Sequence, residues 1–297
     1  MITQSFQALP SLLNLYSKAV FKRNQKQLTS LPELTLKVSD FAINTGQFSR
    51  YLESFGFKEN NKIPAPFFYL ATQTSQLLLL TQTRFPLSPA GLVHLGVCFE
   101  QQRALVTEDW QESQSGNYIL MSIMNQRHSK KGLVFDIETE FYNQQKTAFL
   151  KITNTYLARA IKVESREGLP VLCDFNQVNQ TSVPSLDSDI TLNQHAGKRY
   201  AQLSGDYNPI HLSRFTAKLF GFKRPIIHGI YLVSKAYAQL NNQQSSPPQK
   251  GVFQFKSPFF LPGQGMLTIH TQGKESSVLV HSKNQSHLHG KIEGAVE

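Results

Sequence analysis

Apolar and polar positions along the chain predict two buried helices, each followed by a run of strands. Apolar side chains cover nearly every side of a helix over Pro66 to Gln82, which predicts burial all round. The second half repeats this with a helix over Ile226 to Leu240. Strand-like stretches follow each helix, at 92–105, 118–126, 133–142 and 146–157, and again at 251–260, 266–272, 276–283 and 288–296. The repeated order predicts an internal duplication.

The remaining segments indicate where the two copies begin and join. Residues 5 to 22 have apolar positions at a spacing near 3.6, which predicts an amphipathic helix interrupted early by Pro10. Glu164 to Gly168 and residues 175 to 188 have the composition of a linker. We therefore expect an N-terminal half over 1–165 and a C-terminal half over 166–297, and 297 residues suit two domains.

Composition and charge limit the classes of protein. An apolar share of 40% excludes a disordered or fibrous chain, and the longest apolar runs are far shorter than a membrane span. The formal charge of +10 indicates an anionic partner: a nucleic acid, a membrane surface or a phosphate-bearing ligand. Lys and Arg are scattered rather than interleaved with aromatic residues, so no nucleic-acid module is expected. Two cysteines without a CxxC pattern and the lack of a basic leader predict a cytoplasmic protein.

One segment, from Tyr200 to His211, differs from the rest of the chain. Gln194 to Leu203 has the pattern of a short helix, and the turn-forming residues 204–209 end it. Asp206 and His211 then lie on either side of a bend stiffened by proline, where their side chains can converge. A carboxylate beside an imidazole is a common pair of side chains for proton transfer at neutral pH.

Gly229 lies where the second buried helix is predicted to begin. Its N–H is then one of the unpaired donors at the positive end of the helix dipole, where a carbonyl oxygen gaining negative charge is stabilised. A lone Asp or His is more often a turn cap or a surface residue, but the joint pattern favours chemistry. The other histidine pattern, His287 and His289, has only His281 and Glu293 nearby, which favours a solvated strand face over a metal site.

At these residues the sequence resembles the MaoC-like dehydratases, which include the R-specific enoyl-CoA hydratases (hydratase 2). The motif of an aromatic residue, a short spacer and Ser-Gly-Asp-x-Asn-Pro-hydrophobic-His is complete from Tyr200 to His211. The downstream Pro-Ile-Ile-His-Gly-Ile element is complete from Pro225 to Ile230. The resemblance implies an α+β double hot-dog fold, in which each half is an antiparallel β-sheet wrapped around a buried central helix.

The resemblance also implies a reaction and a site. The reaction is the reversible hydration of trans-2-enoyl thioesters to (R)-3-hydroxyacyl thioesters, with CoA or acyl carrier protein as the carrier and no further cofactor or metal. The implied catalytic residues are Asp206, His211 and Gly229, and the implied substrate-binding residues are Asn208, Tyr207, His228 and Ser234. Relatives with a serine further along the central helix have Tyr237 at the corresponding position here, while Ser234 lies one turn earlier.

The first half lacks the motif. Its corresponding stretch, Phe41 to Phe57, contains Gly46-Gln47-Phe48 and no histidine. We expect this half to be without catalytic residues and to shape the acyl pocket. The net charge of +10 is then assigned to the phosphates of CoA or the acidic face of a carrier protein. Two hot-dog halves in one chain are compatible with a monomer or a homodimer.

Two other classes of function stay open from the sequence. A hot-dog acyl thioesterase would share the fold and the helix N–H without needing the Asp206 and His211 motif. A non-catalytic acyl-CoA or acyl-carrier binding module would have the pocket but not the pair of Asp206 and His211. Neither a nucleotide hydrolase nor a serine esterase is expected, because the chain has no Gly-rich phosphate loop and no GxSxG.

Overall fold

The computed structural model describes residues 2–25, 28–58, 62–106, 116–161, 165–173, 185–243, 247–283 and 285–294. These residues form two compact units. The first unit lies within residues 1–43, 71–102 and 107–171, and the second within 44–70, 103–106 and 172–297. The second unit thus includes a segment, 44–70, that lies in the predicted N-terminal half.

The helices and strands alternate in a repeated order. The strands are β1 (Gln4–Phe6), β2 (Thr35–Val38), β3 (Leu92–Gln101), β4 (Tyr118–Ser129), β5 (Gly132–Tyr142), β6 (Ala148–Ala158), β7 (Ser185–Leu192), β8 (Lys250–Phe255), β9 (Gly263–Gln272), β10 (Glu275–Ser282) and β11 (Gln285–Glu293). The α-helices are α1 (Leu12–Phe21), α2 (Thr45–Phe55), α3 (Tyr69–Thr81), α4 (Ala196–Ser204), α5 (Arg214–Leu219) and α6 (Gly229–Asn241). Short 3₁₀ turns lie at Ala65–Phe68, Pro89–Gly91 and Pro209–His211.

The first unit contains a sheet with the strand order β1-β2-β4-β5-β6-β3. Its pairs are antiparallel except β1 with β2, which is parallel. Helix α3 packs on this sheet, where the Gln76 amide donates to Thr139 Oγ1 at 3.3 Å and accepts from the Tyr156 hydroxyl at 2.8 Å. No side chain of α3 is exposed, which confirms the helix predicted to be buried all round.

The second unit contains an antiparallel sheet with the strand order β8-β11-β10-β9-β7. Helix α6 packs against it, with the Tyr237 ring 5.8 Å from the Phe253 ring of β8. At the other edge of the sheet, Ser188 of β7 donates to the Gln239 side chain of α6 at 2.5 Å. The helix and the four strands predicted here are therefore confirmed.

The duplication is longer than the sequence pattern indicated. A strand and a helix, β2 and α2, precede α3, and β7 and α4 precede α6 in the same way. Helix α2 has local signals at both ends: the Asn44 side chain accepts from the N–H of Gln47 at 2.8 Å, and Gly56 ends the helix at φ 73°. Strands β2 and β7 and helix α2 were not predicted, because their apolar positions are few and their segments short.

Two sequence predictions were wrong in their bounds. The helix predicted over residues 5 to 22 begins only at Leu12, since Pro10 precedes it, and Gln4–Phe6 pairs with β2 as a strand. The linker predicted over 175 to 188 includes the start of β7 at Ser185, and its residues 175–184 lie outside the described residues. In the part of the chain that the structure describes, no helix is long and apolar enough to span a membrane.

Candidate active site

The segment after α4 presents Asp206 through local hydrogen bonds. Gly205 ends α4 at φ 80°, a left-handed conformation that glycine adopts readily. Ser204 Oγ donates to the Tyr200 carbonyl at 2.8 Å and accepts from the Asp206 N–H at 3.1 Å. Asp206 Oδ1 accepts from the N–H of Asn208 at 3.1 Å. The turn-forming residues that the motif contains thus fix the carboxylate at the end of the helix.

Asn208 in turn begins the 3₁₀ turn that carries His211. Its Oδ1 accepts from the N–H of Ile210 at 3.4 Å, and Pro209 occupies the first position of the turn. His211 is buried, with 7% of its surface exposed. The predicted role of Asn208 in binding substrate stays a prediction, and its observed role is to shape this turn. Tyr207, also predicted to bind substrate, is 41% exposed.

His211 has one ring nitrogen fixed by the backbone. Its Nδ1 lies 2.8 Å from the Ile226 carbonyl oxygen, and because a carbonyl only accepts, Nδ1 carries the proton. The other ring nitrogen, Nε2, is then an acceptor. Burial lowers the pKa of His211, against the opposing effects of the Asp206 charge and the bond to Ile226. The imidazole is therefore neutral at pH 7 and able to accept a proton.

His228 packs directly against His211 and Asp206. The two imidazole rings stack with centroids 3.6 Å apart, and His228 Nε2 donates to the Asp206 carbonyl oxygen at 3.0 Å. The same Nε2 lies 3.5 Å from Asp206 Oδ2. Burial, and then the neighbouring His211, lower the pKa of His228 to about 3. Since His228 is neutral at pH 7, its contact with the carboxylate is polar rather than an ion pair.

Gly229 follows His228 as the first residue of α6, as predicted. A Cβ added to Gly229 would overlap the Phe255 ring, 2.7 Å from its Cδ1 atom. The first N–H groups of a helix have no partner within the helix, so the N-terminus of α6 offers donors beside His228. The sequence motif thus places Asp206, His211, His228 and Gly229 in one part of the second unit.

Three side chains of α2 contact this part of the second unit, and the sequence did not predict them. The Gln47 amide donates to the Leu203 carbonyl at 2.8 Å, just before the turn that presents Asp206. The Tyr51 hydroxyl donates to Ser234 Oγ at 2.8 Å. The Phe55 ring packs 6.0 Å from Tyr200 and 5.1 Å from Tyr231. Their spacing of four residues places them on one face of α2, which is the signal that could have found them.

Ser234, predicted to bind substrate, is fully buried on α6. Its hydroxyl accepts from Tyr51, whose pKa is raised by burial. Tyr237, about one turn further along α6, is also buried and packs on Phe253. The observed contact of Ser234 is therefore with α2, and a contact with substrate stays a prediction.

Two buried polar atoms beside the stacked histidines have no hydrogen-bond partner among the described residues. They are the hydroxyl of Tyr200, which is 3% exposed, and Nδ1 of His228. The Tyr200 ring packs edge-on against His228, with centroids 4.8 Å apart. Buried polar groups are nearly always paired, so this position suits a bound water or a polar group of a ligand.

Asp206, His211 and His228 each offer one ligand atom within 4.8 Å of one another, a spacing that could hold a metal ion. Two of their ring nitrogens, however, are directed to backbone carbonyl oxygens, which leaves Nε2 of His211 and Nδ1 of His228 on stacked rings. The expectation that the site works without a metal stays a prediction.

The solvated strand face predicted for the other histidine pair is wrong for His287. Its side chain is 5% exposed, and its Nδ1 and Nε2 lie 3.0 Å from the hydroxyls of Ser257 and Ser282. His289 Nε2 lies 2.7 Å from Ser286 Oγ. Serine partners on both rings give these histidines a structural role in β11.

The chain is similar to known proteins in sequence and in fold. Residues 176–276 match the sequence model of the MaoC like domain family, and this range contains Asp206, His211, His228 and Gly229. The chain is 24% identical over 266 residues to 3-hydroxyacyl-thioester dehydratase X of Mycobacterium tuberculosis, covering 89% of this chain and 90% of that protein.

Solved structures share the fold. The crystal structure of HtdX from Mycobacterium tuberculosis has a TM-score of 0.70 at 22% identity, covering 87% of this chain and 99% of that one. A MaoC-like dehydratase from Phytophthora capsici has a TM-score of 0.66 at 20% identity, covering 91% and 98%. A further Mycobacterium tuberculosis protein, described as having a double hot-dog fold, has a TM-score of 0.54 at 11% identity, covering 94% and 97%. The chain therefore has the double hot-dog fold, and its residues 176–276 match the MaoC like domain family.

Proposed function

We propose that this protein is a hydro-lyase that reversibly hydrates trans-2-enoyl thioesters to (R)-3-hydroxyacyl thioesters. The observation that carries the proposal is the cluster of Asp206, His211 and His228. One side-chain oxygen or nitrogen atom of each residue lies within 4.8 Å of the others, and His228 directly precedes the N-terminus of α6. The match of residues 176–276 to the MaoC like domain family supports the same reaction. So does the similarity of the chain to a 3-hydroxyacyl-thioester dehydratase.

The residue types assign the steps of the reaction. The β-carbon of an enoyl thioester is electrophilic only if negative charge can move onto the carbonyl oxygen, and the Gly229 N–H is the proposed donor to that oxygen. Asp206 and neutral His211 hold one water between them. The water oxygen bonds to the β-carbon, one water proton passes to the pair, and the pair returns a proton to the α-carbon. One water held on one face of the double bond adds in a syn manner.

The other residues of the cluster position these groups. His228 donates to the backbone of Asp206 and stacks on His211, so it fixes the carboxylate and the imidazole relative to each other. Burial keeps both histidines of the cluster neutral at pH 7. The proposed site residues are thus Asp206 and His211 for proton transfer, Gly229 for the carbonyl, and His228 for their orientation.

Loss of the enoyl-thioester absorbance of crotonyl-CoA tests the proposal. Asp206→Asn and His211→Ala are each expected to lower kcat by about 100-fold or more, the lower range for acid–base groups. Asp187→Asn, which changes an exposed aspartate of β7, is the matched control and should keep the wild-type rate.

Release of free thiol is measured in the same assay. Thiol release without hydration would identify a thioesterase instead, and binding of crotonyl-CoA without either reaction would identify a binding module. Wild-type turnover by a folded Asp206→Asn protein would contradict the assigned chemistry.

A further inference from the structure

A groove of about 580 Å³ runs along α6 in the second unit, beside the edge strand β7. Apolar side chains of β7 and β9 line one part of it, including Ile190 and Leu267, and polar side chains of α6 line the other, including Lys235 and Gln239. Phe55 and Tyr231 also line it.

Ring contacts connect the lining of the groove with the candidate active site. The rings of Phe55 and Tyr231 pack 6.0 Å and 5.7 Å from the ring of Tyr200. Tyr200 in turn packs against His228, the residue beside Gly229. A ligand in the groove would therefore extend away from the proposed thioester position along α6.

Lys235 is the charged group that this groove leaves without a counter-ion. It is half-buried, its Nζ lies 5.8 Å from the centre of the Phe55 ring, and it forms no ion pair with any described carboxylate. Burial lowers its pKa, and Asp189, an exposed residue that also lines the groove, forms no ion pair with it. Desolvating an ammonium without a partner costs free energy, which a bound anion would offset.

Three other lysines, Lys22, Lys151 and Lys291, have polar or charged partners. The Lys22 amine donates to the Gln82 carbonyl, while Lys151 and Lys291 each pair with two glutamates. The position of Lys235 thus favours a ligand with a negative charge that lies about one helical turn beyond Tyr231.

We propose that this groove binds the phosphopantetheine arm of the acyl thioester and that Lys235 Nζ binds its phosphate. The inference rests on the proposed function and adds the carrier-binding part of the same site. An acyl chain in the groove would leave the ammonium without a counter-ion, whereas the arm has amide groups, apolar carbons and one phosphate to match the mixed lining. Lys235 lies six residues after Gly229, a rise of about 9 Å along α6, which the extended arm is long enough to cover.

The phosphate is common to CoA and to a loaded carrier protein, so the test varies the carrier with one acyl group. Crotonyl-pantetheine, crotonyl-4′-phosphopantetheine, crotonyl-CoA and a crotonyl carrier protein are compared as substrates of the wild-type protein and of Lys235→Met. We expect KM for the three phosphate-bearing substrates to rise about tenfold in Lys235→Met, the usual effect of losing a charged hydrogen bond, with kcat unchanged. KM for crotonyl-pantetheine should stay at its wild-type value.

Two further variants separate the charge from its surroundings. Lys235→Arg keeps a cation and is expected to restore most of the lost affinity. Lys274→Met changes an exposed lysine in the turn between β9 and β10 of the same unit and should change no KM. A KM that rises equally for crotonyl-pantetheine, or one that does not change for the phosphate-bearing substrates, would overturn the proposal.

Binding without turnover separates this inference from the proposed reaction. Calorimetric titration with CoA and with 4′-phosphopantetheine needs no catalysis, and its Kd should rise about tenfold in Lys235→Met. If the wild-type protein binds CoA through Lys235 but does not hydrate crotonyl-CoA, only the proposed reaction fails. If it hydrates crotonyl-CoA and Lys235→Met binds CoA as tightly as the wild type, only the groove assignment fails.

Discussion

His211 and His228 stack with their ring centroids 3.6 Å apart, and a backbone carbonyl oxygen fixes one nitrogen of each ring. Two cationic rings at this distance would repel each other, and burial disfavours either charge. Both effects keep the pair neutral at pH 7, which leaves one lone pair on each ring for a proton or a water. The same burial that suits the proposed chemistry makes the folded protein sensitive to acid.

The sign of this sensitivity follows from the pKa of His228. That pKa is about 3 in the folded protein and 6.5 in an unfolded chain, so between these values the unfolded chain binds the extra proton. Stability should therefore be complete above pH 6.5 and fall as the pH falls below it. From pH 7 to pH 5, His228 alone is expected to remove about 2 kcal/mol of unfolding free energy.

Urea unfolding at both pH values measures this loss. In His228→Gln the fall in unfolding free energy between pH 7 and pH 5 should be smaller by about 2 kcal/mol, because that side chain no longer titrates. His195→Gln, a change at an exposed histidine, is the control and should keep the wild-type difference. An equal fall in the wild type and His228→Gln would contradict the assigned burial.

At the scale of the element, α2 has the same place in the first copy as α4 has in the second, but the residues of the two helices have different roles. Helix α4 leads into the turn that presents Asp206, whereas α2 has Gln47, Tyr51 and Phe55 on one face. This face contacts the end of α4, the middle of α6 and the ring of Tyr200. The stretch that lacks the motif therefore packs against the segments that carry the motif of the other copy, within the second unit.

The bond from Tyr51 to Ser234 is fully buried, which makes its contribution measurable. Tyr51→Phe leaves the Ser234 hydroxyl without its donor and should lower the unfolding free energy by about 1 to 3 kcal/mol, the cost of an unpaired buried polar group. Ser234→Ala should have a similar effect. The two changes remove the same hydrogen bond. The loss of unfolding free energy in the double variant should therefore be about 1 kcal/mol smaller than the sum of the losses in the two single variants.

Urea unfolding of the four proteins of this cycle provides the measurement. Tyr207→Phe, at a tyrosine that is 41% exposed, is the matched control and should change the unfolding free energy little. Additive losses in the double variant would show that the Tyr51 and Ser234 hydroxyls do not interact in solution.

At the scale of the whole molecule, the second compact unit is built from separate parts of the chain. Residues 44–70 and 103–106 belong to it together with 172–297. Segments 44–70 and 172–297 share a core, since the buried side chains of Tyr51 and Phe55 contact Ser234 and Tyr200. A cut at the boundary predicted from the sequence would therefore remove part of the unit that holds the candidate active site.

A fragment of residues 172–297 tests this dependence. Without α2, the rings of Tyr200 and Tyr231 lose the cover of Phe55, so the fragment should unfold at lower urea and without a sharp transition. It should also lack hydration of crotonyl-CoA. Circular dichroism in urea and the absorbance assay measure the two losses.

A second fragment, in which residues 44–70 are joined by a flexible linker to 172–297, is the matched control. It keeps Gln47, Tyr51 and Phe55 and should recover a sharper transition than the shorter fragment. Equal unfolding midpoints for the fragment of 172–297 and the full chain would show that 44–70 is not needed by this unit.

What the sequence determined by itself is local. The period of apolar residues predicted α3, α6 and the strands that follow them, because an element needs a continuous buried face and its spacing is visible within a few turns. The bend that brings Asp206 towards His211 is also local, since Gly205, Asn208 and Pro209 set it through bonds over two or three residues. These parts of the fold and of the candidate site could therefore be predicted.

Only the tertiary structure decided which distant residues support the site. Tyr51 and Ser234 lie 183 residues apart in the chain, and no local spacing shows that their hydroxyls meet. The low pKa of His228, the unpaired ammonium of Lys235 and the groove along α6 depend on burial by other elements. Burial is a property of packing between segments, so a pattern confined to a few neighbouring residues does not contain it.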